Sequence, residues 1–458
     1  MIQFKQQVLL GEDLAATRPP APPANAKLHF WGKAGDTFGI TDRQLSTHTM
    51  LVGSSGCGKT SVIYSALDQL LPSLGKRDLI VIFDAGGEYA RRYFDPKNPR
   101  HILAGYGGGQ AALQHSWNLF GELMGPDGHP AGNWKVTAGE IAKAILYGHE
   151  NQQQPFFSLA AEALIRDSLQ DLMNEALARR SVRNLYTGHW LRTMRSRTLS
   201  GWVALTEKEG FRSHRMFFGD SPRLNAQALG VFGEMNAALD NMFAVFDNTS
   251  SRGEFSMREL LQERNGQVVF LVYDIAIGES QKPLLRLWFD LALKFALSAT
   301  SQSSGCVYLV CDELALLPRL QYLSDALNFG RARGLRLICG LQSVNQFRDS
   351  YGSQAESLLA GFGSCFAFRC NDNATRQYIT ERFGQQYSTM VFRTPGGKLD
   401  FQQREGHVAE DWLILSLNTG EALIDLPSDG GHPFRFYFRE YQPPRQQAHA
   451  HPLAAERS

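Results

Sequence analysis

Eight consecutive residues, Gly53-Ser54-Ser55-Gly56-Cys57-Gly58-Lys59-Thr60, fit the pattern G-x-x-x-x-G-K-[ST] in full. Each residue type has a chemical reason. Glycines let successive backbone N–H groups turn inward toward phosphate oxygens, and a helix starting at the loop adds a favourable dipole. Lys59 can bridge the β- and γ-phosphates of a nucleoside triphosphate, and the Thr60 hydroxyl can ligate Mg²⁺. With Ser61 completing the first turn, residues 53–61 are the expected nucleotide contacts. The expected cofactors are ATP and Mg²⁺.

Hydrolysis also needs a carboxylate near the metal and a base for the attacking water. Two apolar runs end in aspartate: Leu79–Phe83 before Asp84-Ala-Gly-Gly-Glu88, and Val307–Cys311 before Asp312-Glu313. Only the second places adjacent carboxylates at a strand's end. Asp312 is therefore assigned to the Mg²⁺ shell and Glu313 to the general base. Asp84 and Glu88 fit a turn with a capped helix, or a site-lining role. Gln342, at the end of a later apolar run, could sense the γ-phosphate or be an ordinary polar strand end. The run Gly330-Arg331-Ala-Arg333-Gly-Leu-Arg336 reads as a solvated basic turn, or as an arginine reaching a neighbouring subunit's site.

The elements that must carry these residues alternate. A short strand over Thr47–Val52 enters the loop, and a helix over Lys59–Leu71 leaves it, stopped by Pro72. Continuous rather than alternating apolarity at Leu79–Phe83, Val268–Tyr273, Val307–Cys311, Leu335–Cys339 and Cys365–Phe368 suits strands buried on both faces. Helical stretches over Pro283–Ala299 and Leu320–Ala332 separate the later ones. The pattern predicts an α/β fold with a mainly parallel central sheet. Between Trp134 and Asp247 strand signals nearly vanish and helical spacing dominates. The expected organisation is an extended arm (1–27), a first α/β part (28–133), an all-α insertion (134–250), a second α/β part (251–442) and a disordered tail (443–458).

Composition sets the outer bounds. At 458 residues, 43% hydrophobic and 20% charged, the chain is neither a disordered, collagen-like nor mucin-like polymer, and its length suggests two or three compact units at ~150 residues each. The longest apolar helix pattern, Leu284–Ala299, is interrupted by Arg286, Asp290 and Lys294. That charged stripe marks a soluble amphipathic helix, not a membrane span. No apolar leader follows Met1. None of the six cysteines forms a C-x-x-C pair, and reduced thiols point to the cytoplasm. Net charge is +1, yet Arg179–Arg215 holds nine Lys/Arg and two Glu. A local basic segment on a neutral protein points to an anionic partner, nucleic acid first.

The blocks Asp312-Glu-Leu-Ala-Leu-Leu-Pro-Arg-Leu, Asp325-Ala-Leu-Asn-Phe-Gly-Arg-Ala-Arg-Gly-Leu-Arg and Gly340-Leu-Gln-Ser closely resemble conjugative coupling proteins of the TraD/TraG/TrwB type. Asp84-Ala-Gly-Gly-Glu88, Trp117-Asn-Leu-Phe120, Phe255-Ser-Met-Arg258 and the segment Asp372–Gly384 agree in order. The resemblance covers roughly Phe38–Gln386. It implies a RecA-like P-loop motor domain related to FtsK and HerA translocases, interrupted by an all-α domain. It further implies a hexameric ATPase that receives relaxase–DNA at a type IV secretion system and pumps single-stranded DNA. By the same resemblance Arg331, after the glycine of Gly-Arg-x-x-Gly, lies at the subunit interface. Typical members begin with transmembrane helices, which this sequence lacks. The expectation is a soluble variant, cytoplasmic and peripheral to the inner membrane through an anchored partner; removal of an anchor is the alternative. A HerA/FtsK-like motor for repair or segregation, or a nucleotide-dependent docking receptor that does not pump, are the competing functions.

Overall fold

The continuous apolar runs become buried strands, as two-sided burial requires. The computed structural model describes residues 5–11, 13–14, 17–105, 114–125, 127–147, 155–182, 185–208, 226–243, 254–276, 278–298, 305–317, 319–393, 399–427 and 432–443. The strands are β1 Lys5–Leu10, β2 Ala26–Trp31, β3 Thr37–Thr41, β4 Thr49–Val52, β5 Leu79–Ala85, β6 His101–Gly105 and β7 Gln267–Tyr273. They continue with β8 Val307–Cys311, β9 Leu335–Leu341, β10 Ser364–Phe368, β11 Gln385–Arg393, β12 Leu399–His407, β13 Glu421–Asp425 and β14 Phe434–Tyr437. Nine of them form a sheet in the order β14-β13-β10-β4-β9-β8-β5-β7-β6. The pairs β10–β4, β4–β9, β8–β9 and β6–β7 are parallel. β13 and β14 join antiparallel at the other edge. The fold is thus α/β with a mainly parallel sheet, as the alternation of elements predicts.

The chain divides into two compact units, residues 1–80 with 300–458, and residues 81–299. In the first, β4 is buried at every position and leads directly into the phosphate loop. Phe30 and Phe38 of the β2–β3 hairpin pack with Phe366, Phe436 and Phe438 in a ring cluster, with centroids 4.7–6.2 Å apart. Within the segment read as an arm, residues 5–10 are a strand. β1 pairs antiparallel with β11, which pairs with β12. The helix expected over Leu320–Ala332 is shorter, Leu323–Phe329, and a 3₁₀ turn over Gly330–Arg333 follows it. The tail beyond residue 443 lies outside the described residues.

In the second unit, the segment poor in strand signals is helical at Trp134–Ile145, Pro155–Ala178, Thr187–Ser196, Leu199–Glu207 and Ala226–Phe243. The chain departs for it and returns at adjacent points. Asn118 N donates to Phe255 O at 2.8 Å, and Glu254 N donates to Ser116 O at 2.6 Å. A fully buried carboxylate, Glu122, seals this junction by accepting from Trp117 Nε1, Met257 N and Arg258 N. Burial still pushes its carboxyl up to about 7, against those hydrogen bonds and the Arg258 guanidinium.

The stripe of Arg286, Asp290 and Lys294 departs from the sequence reading. The helix Lys282–Ser298 buries all three. Lys294 donates to Thr137 and pairs with Glu140 of the helix Trp134–Ile145, and the Arg286 guanidinium stands over the Tyr147 ring. The charged face is an internal helix–helix seam, each cation met by a partner, as buried charge requires. Among the described residues no helix is long and apolar enough to cross a membrane.

Candidate functional site

The phosphate loop is built where a strand stops. Gly53 N donates to Leu341 O at 3.0 Å, extending the β4–β9 pairing by one step, and Ser54 N turns to Arg369 O at 2.9 Å. The loop ends at Gly58, whose φ is +113°, a conformation other residues rarely adopt. The helix Lys59–Leu70 starts at the next residue. Lys59 is buried, and its ammonium donates to Gly53 O at 2.5 Å and Ser54 O at 3.2 Å. The cation is therefore curled over its own loop, where phosphate oxygens would compete for it.

The Asp312–Glu313 pair meets this loop. Thr60 Oγ1 donates to Asp312 Oδ2 at 3.1 Å, so two hard oxygen donors face each other, a set that suits Mg²⁺. β9 lies close enough that a Cβ on Gly340 would stand 1.9 Å from Asp312 O. Glycine there lets the Asp312 backbone sit at the strand end. Both Glu313 carboxylate oxygens are buried with no hydrogen-bond partner among the described residues. Burial raises this carboxyl to about 7, and the Lys59 ammonium with the nearby backbone N–H groups of Ala315 and Gln342 offsets it only in part. A buried base poised near neutrality beside the phosphate-loop lysine suits water activation. Within this unit, Asp312 and Glu313 are the carboxylates beside the loop.

Asp84 is fully buried, and its Oδ2 accepts from Ala90 N at 2.7 Å, capping the short helix Glu88–Tyr93. That is the turn reading of Asp84-Ala-Gly-Gly-Glu88. Gln342 is exposed at the carboxyl end of β9. Ser343 beside it donates to Asp372 Oδ2 at 3.3 Å, and Val344 N donates to Thr375 Oγ1 at 2.9 Å. Asp372, which caps the helix Asn373–Phe383, thereby fixes the exit of β9. Sequence patterning gave it no such task.

Arg331 is placed elsewhere. It is exposed on the 3₁₀ turn that precedes β9. β8 and β9 are parallel, so Arg331 lies at their amino ends, whereas Asp312, Glu313 and Gln342 lie at their carboxyl ends. The seven residues of β9 separate them by about 20 Å at ~3.3 Å per residue. Arg331 does not reach its own chain's loop. Arg333 shares the turn, and Arg336 is buried in an ion pair with Asp42 at 2.8 Å.

The basic segment is less basic as folded than as counted. Arg197 pairs with Asp171 at 3.5 Å, and Lys208 pairs with Asp171 and Glu175 at 2.5 and 3.2 Å. Arg195 meets Asp240 at 3.4 Å, both well exposed, where such pairs contribute little. Arg192 stacks over Tyr186, 5.3 Å from the ring centroid. The stretch holding Arg212 and Arg215 lies outside the described residues. Arg192 and Arg195 are the exposed cations of the helix Thr187–Ser196.

The bacterial conjugative coupling protein TrwBdeltaN70, in its trigonal form with sulphate, superposes with a TM-score of 0.72 at 20% identity, covering 97% of both chains. TrwB in complex with ADP and Mg²⁺ gives 0.70 at 20% identity, covering 96% of this chain and 95% of that one. The coupling protein TraD of Escherichia coli (strain K12) is 23% identical over 340 residues. That match spans 71% of this chain but 42% of TraD's own length. Residues 36–395 match the family of the type IV secretion-system coupling protein DNA-binding domain. Over most of its length, from before the phosphate loop to the β11 strand, this chain belongs to that family.

Proposed function

We propose that the chain is an ATP-driven motor that couples relaxase-bound DNA to a type IV secretion system and moves single-stranded DNA as a homohexamer. The observation that carries this reading is the pairing of a complete phosphate loop with the buried, unpartnered Glu313 across the Thr60–Asp312 contact. A docking receptor needs the loop but not the base. In this reading residues 53–61 cradle the phosphates, Lys59 draws charge from the transferring group, and Thr60 with Asp312 holds Mg²⁺. The metal, when bound, supplies neutralising charge at the phosphates. Glu313 takes the proton from the attacking water, and Gln342 senses the γ-phosphate. The family's DNA-binding character and the nucleotide held by TrwB support the reading. A membrane-anchored partner would hold the chain at the inner membrane.

Purified protein should hydrolyse ATP faster when single-stranded DNA is added. Replacing Arg192 and Arg195 by glutamine should weaken DNA binding and flatten its salt dependence, since each single-strand phosphate contact contributes about −0.7 to the log–log slope. Arg197 is left intact because its loss would strip Asp171 of a partner. ATP turnover indifferent to DNA would favour the docking receptor. Unchanged affinity and slope in the double variant would return this helix to a solvated face.

The distance of Arg331 from its own loop leaves action in trans as its catalytic route. A guanidinium donated to the γ-phosphoryl group from a neighbour raises rate by ~10³–10⁵. Arg331→Ala and Glu313→Gln should each be nearly inactive alone. Mixed rings contain interfaces with both residues intact, so activity should partly return on mixing. Mixtures as inactive as their components, under conditions where subunits demonstrably exchange, reject the role and make Arg333 the next residue to test.

A further inference from the structure

We infer that Tyr437, steadied by Lys33, is the platform on which the base of the bound nucleoside triphosphate stacks. This rests on the nucleotide reading above and extends it to the far end of the ligand. Sheet polarity gives the direction. Thr60 and Asp312, which would hold the metal beside the terminal phosphates, lie on the side of β4 facing β9 and β8. A nucleoside leading away from them runs toward β10, the other neighbour of β4, and on to β13 and β14. β13 is antiparallel to β10, so its start returns to the carboxyl edge of the parallel strands, the edge where α/β sheets bind ligands. β14 reverses again, and Tyr437, opposite Glu421 at the start of β13, ends at that same edge.

Short contacts link this edge to the loop. Gly420 N donates to Cys57 O at 2.8 Å. A Cβ on Gly58 would stand 3.0 Å from Gly420 Cα, and a Cβ on Gly420 would stand 3.9 Å from Tyr437 Cε2. The ring is thus one glycine removed from the phosphate loop. Its neighbours Phe436 and Phe438 are buried at 1% and 7% exposure. Strand alternation therefore turns Tyr437 to the other face, where it remains half-buried and outside the aromatic core. Lys33 fixes the ring. Its N–H donates to Tyr437 O at 2.8 Å, its ammonium donates to Tyr437 Oη at 2.7 Å, and the same ammonium stands 3.9 Å from the ring centroid. With the Lys33 ammonium over one face of the ring, an aromatic side chain outside the core, beside a phosphate loop and on the nucleoside side, has its other face for a base.

Stacking uses the π-face that every base has, so ATP and GTP should depend on the ring alike. Calorimetric titration of the full chain with Mg²⁺ and ATP, GTP or inorganic tripolyphosphate tests this. Tyr437→Ala should weaken both nucleotides by roughly 5- to 100-fold, the range for losing one aromatic–base stack, and leave tripolyphosphate unchanged. Tyr437→Phe should bind as the parent does, which separates stacking from loss of fold. Equal affinity of Tyr437→Ala and parent for ATP overturns the inference, and so does a parallel loss of tripolyphosphate. Weakened binding of a single-stranded oligonucleotide with ATP untouched also overturns it and gives the ring to nucleic acid. A parent chain that binds neither nucleotide overturns the nucleotide reading itself, and this inference with it.

Discussion

Glu313→Gln should bind ATP as the parent does and turn it over ~10²–10⁴-fold more slowly, the usual contribution of a positioned general base. The exchange keeps the side chain's shape and removes only its ability to take a proton. Single-turnover hydrolysis beside a nucleotide-binding titration measures both halves. Undiminished turnover would move the base away from Glu313. The parent also carries a pH signature. With the carboxyl at about 7, kcat/KM rises with pH through that range, because the free chain must present an ionised base. The glutamine variant shows no such rise.

The same substitution stabilises the ligand-free fold. The folded chain holds Glu313 at about 7 against an ordinary 4.5. Between those values the folded state keeps a proton that the unfolded chain has released. Stability therefore falls as pH rises through the interval, and the full cost stands above about 7. Glu313→Gln should be more stable than the parent at pH 8, by ~1–3 kcal/mol, and equal to it at pH 4. Urea denaturation at the two pH values reads the difference. The raised carboxyls of Asp84 and Glu122 are common to both proteins and cancel. A variant less stable at pH 8 would mean that Glu313 is held by its surroundings rather than strained against them.

Lys59→Ala should lose ~10²-fold or more in hydrolysis, the scale for removing one preorganised donor from developing phosphoryl charge. It keeps its fold, because the lysine's contacts are to its own loop, at Gly53 O and Ser54 O, and not to the core. Circular dichroism and a thermal melt check the fold, and a phosphate-release assay checks the rate. Hydrolysis at the parental rate would displace the site from the loop altogether.

The loop and the Asp312–Glu313 pair were legible because their chemistry is local. Eight consecutive residues and two adjacent ones need no knowledge of partners. The parallel strands were legible because burial on both faces leaves an unbroken apolar run. The antiparallel edge was not. β13 and β14 are short, and Phe434, Phe436 and Phe438 alternate with polar residues, a pattern that a segment near a chain end shares with loops. Tyr437 becomes a candidate only when Gly420 is seen against Gly58, residues far apart in the chain. Charge misled twice for one reason. Lys294 and Arg286, like Arg197 and Lys208, find their partners across a seam, at Glu140, the Tyr147 ring and Asp171, and a count along the chain does not see across it. The elements Trp117-Asn-Leu-Phe120 and Phe255-Ser-Met-Arg258 were recognisable by resemblance alone. Their physical task, joining around the Glu122 carboxylate, appears only in the fold.

That junction bears on how this architecture can vary. The chain leaves at Ser116–Asn118 and re-enters at Glu254–Phe255, with its two ends already hydrogen-bonded to each other. Between these ends the packed helices are joined by connections whose length costs little, since each doubling of a flexible loop adds only ~0.6 kcal/mol of closure entropy. The connections between the helices can lengthen or shorten on these terms, while Thr137, Glu140 and Thr187 bond back to Lys294 and Trp117 and hold the base of the helical excursion in register. A lineage could vary those connections without altering the residues of the phosphate loop or of the Glu122 junction.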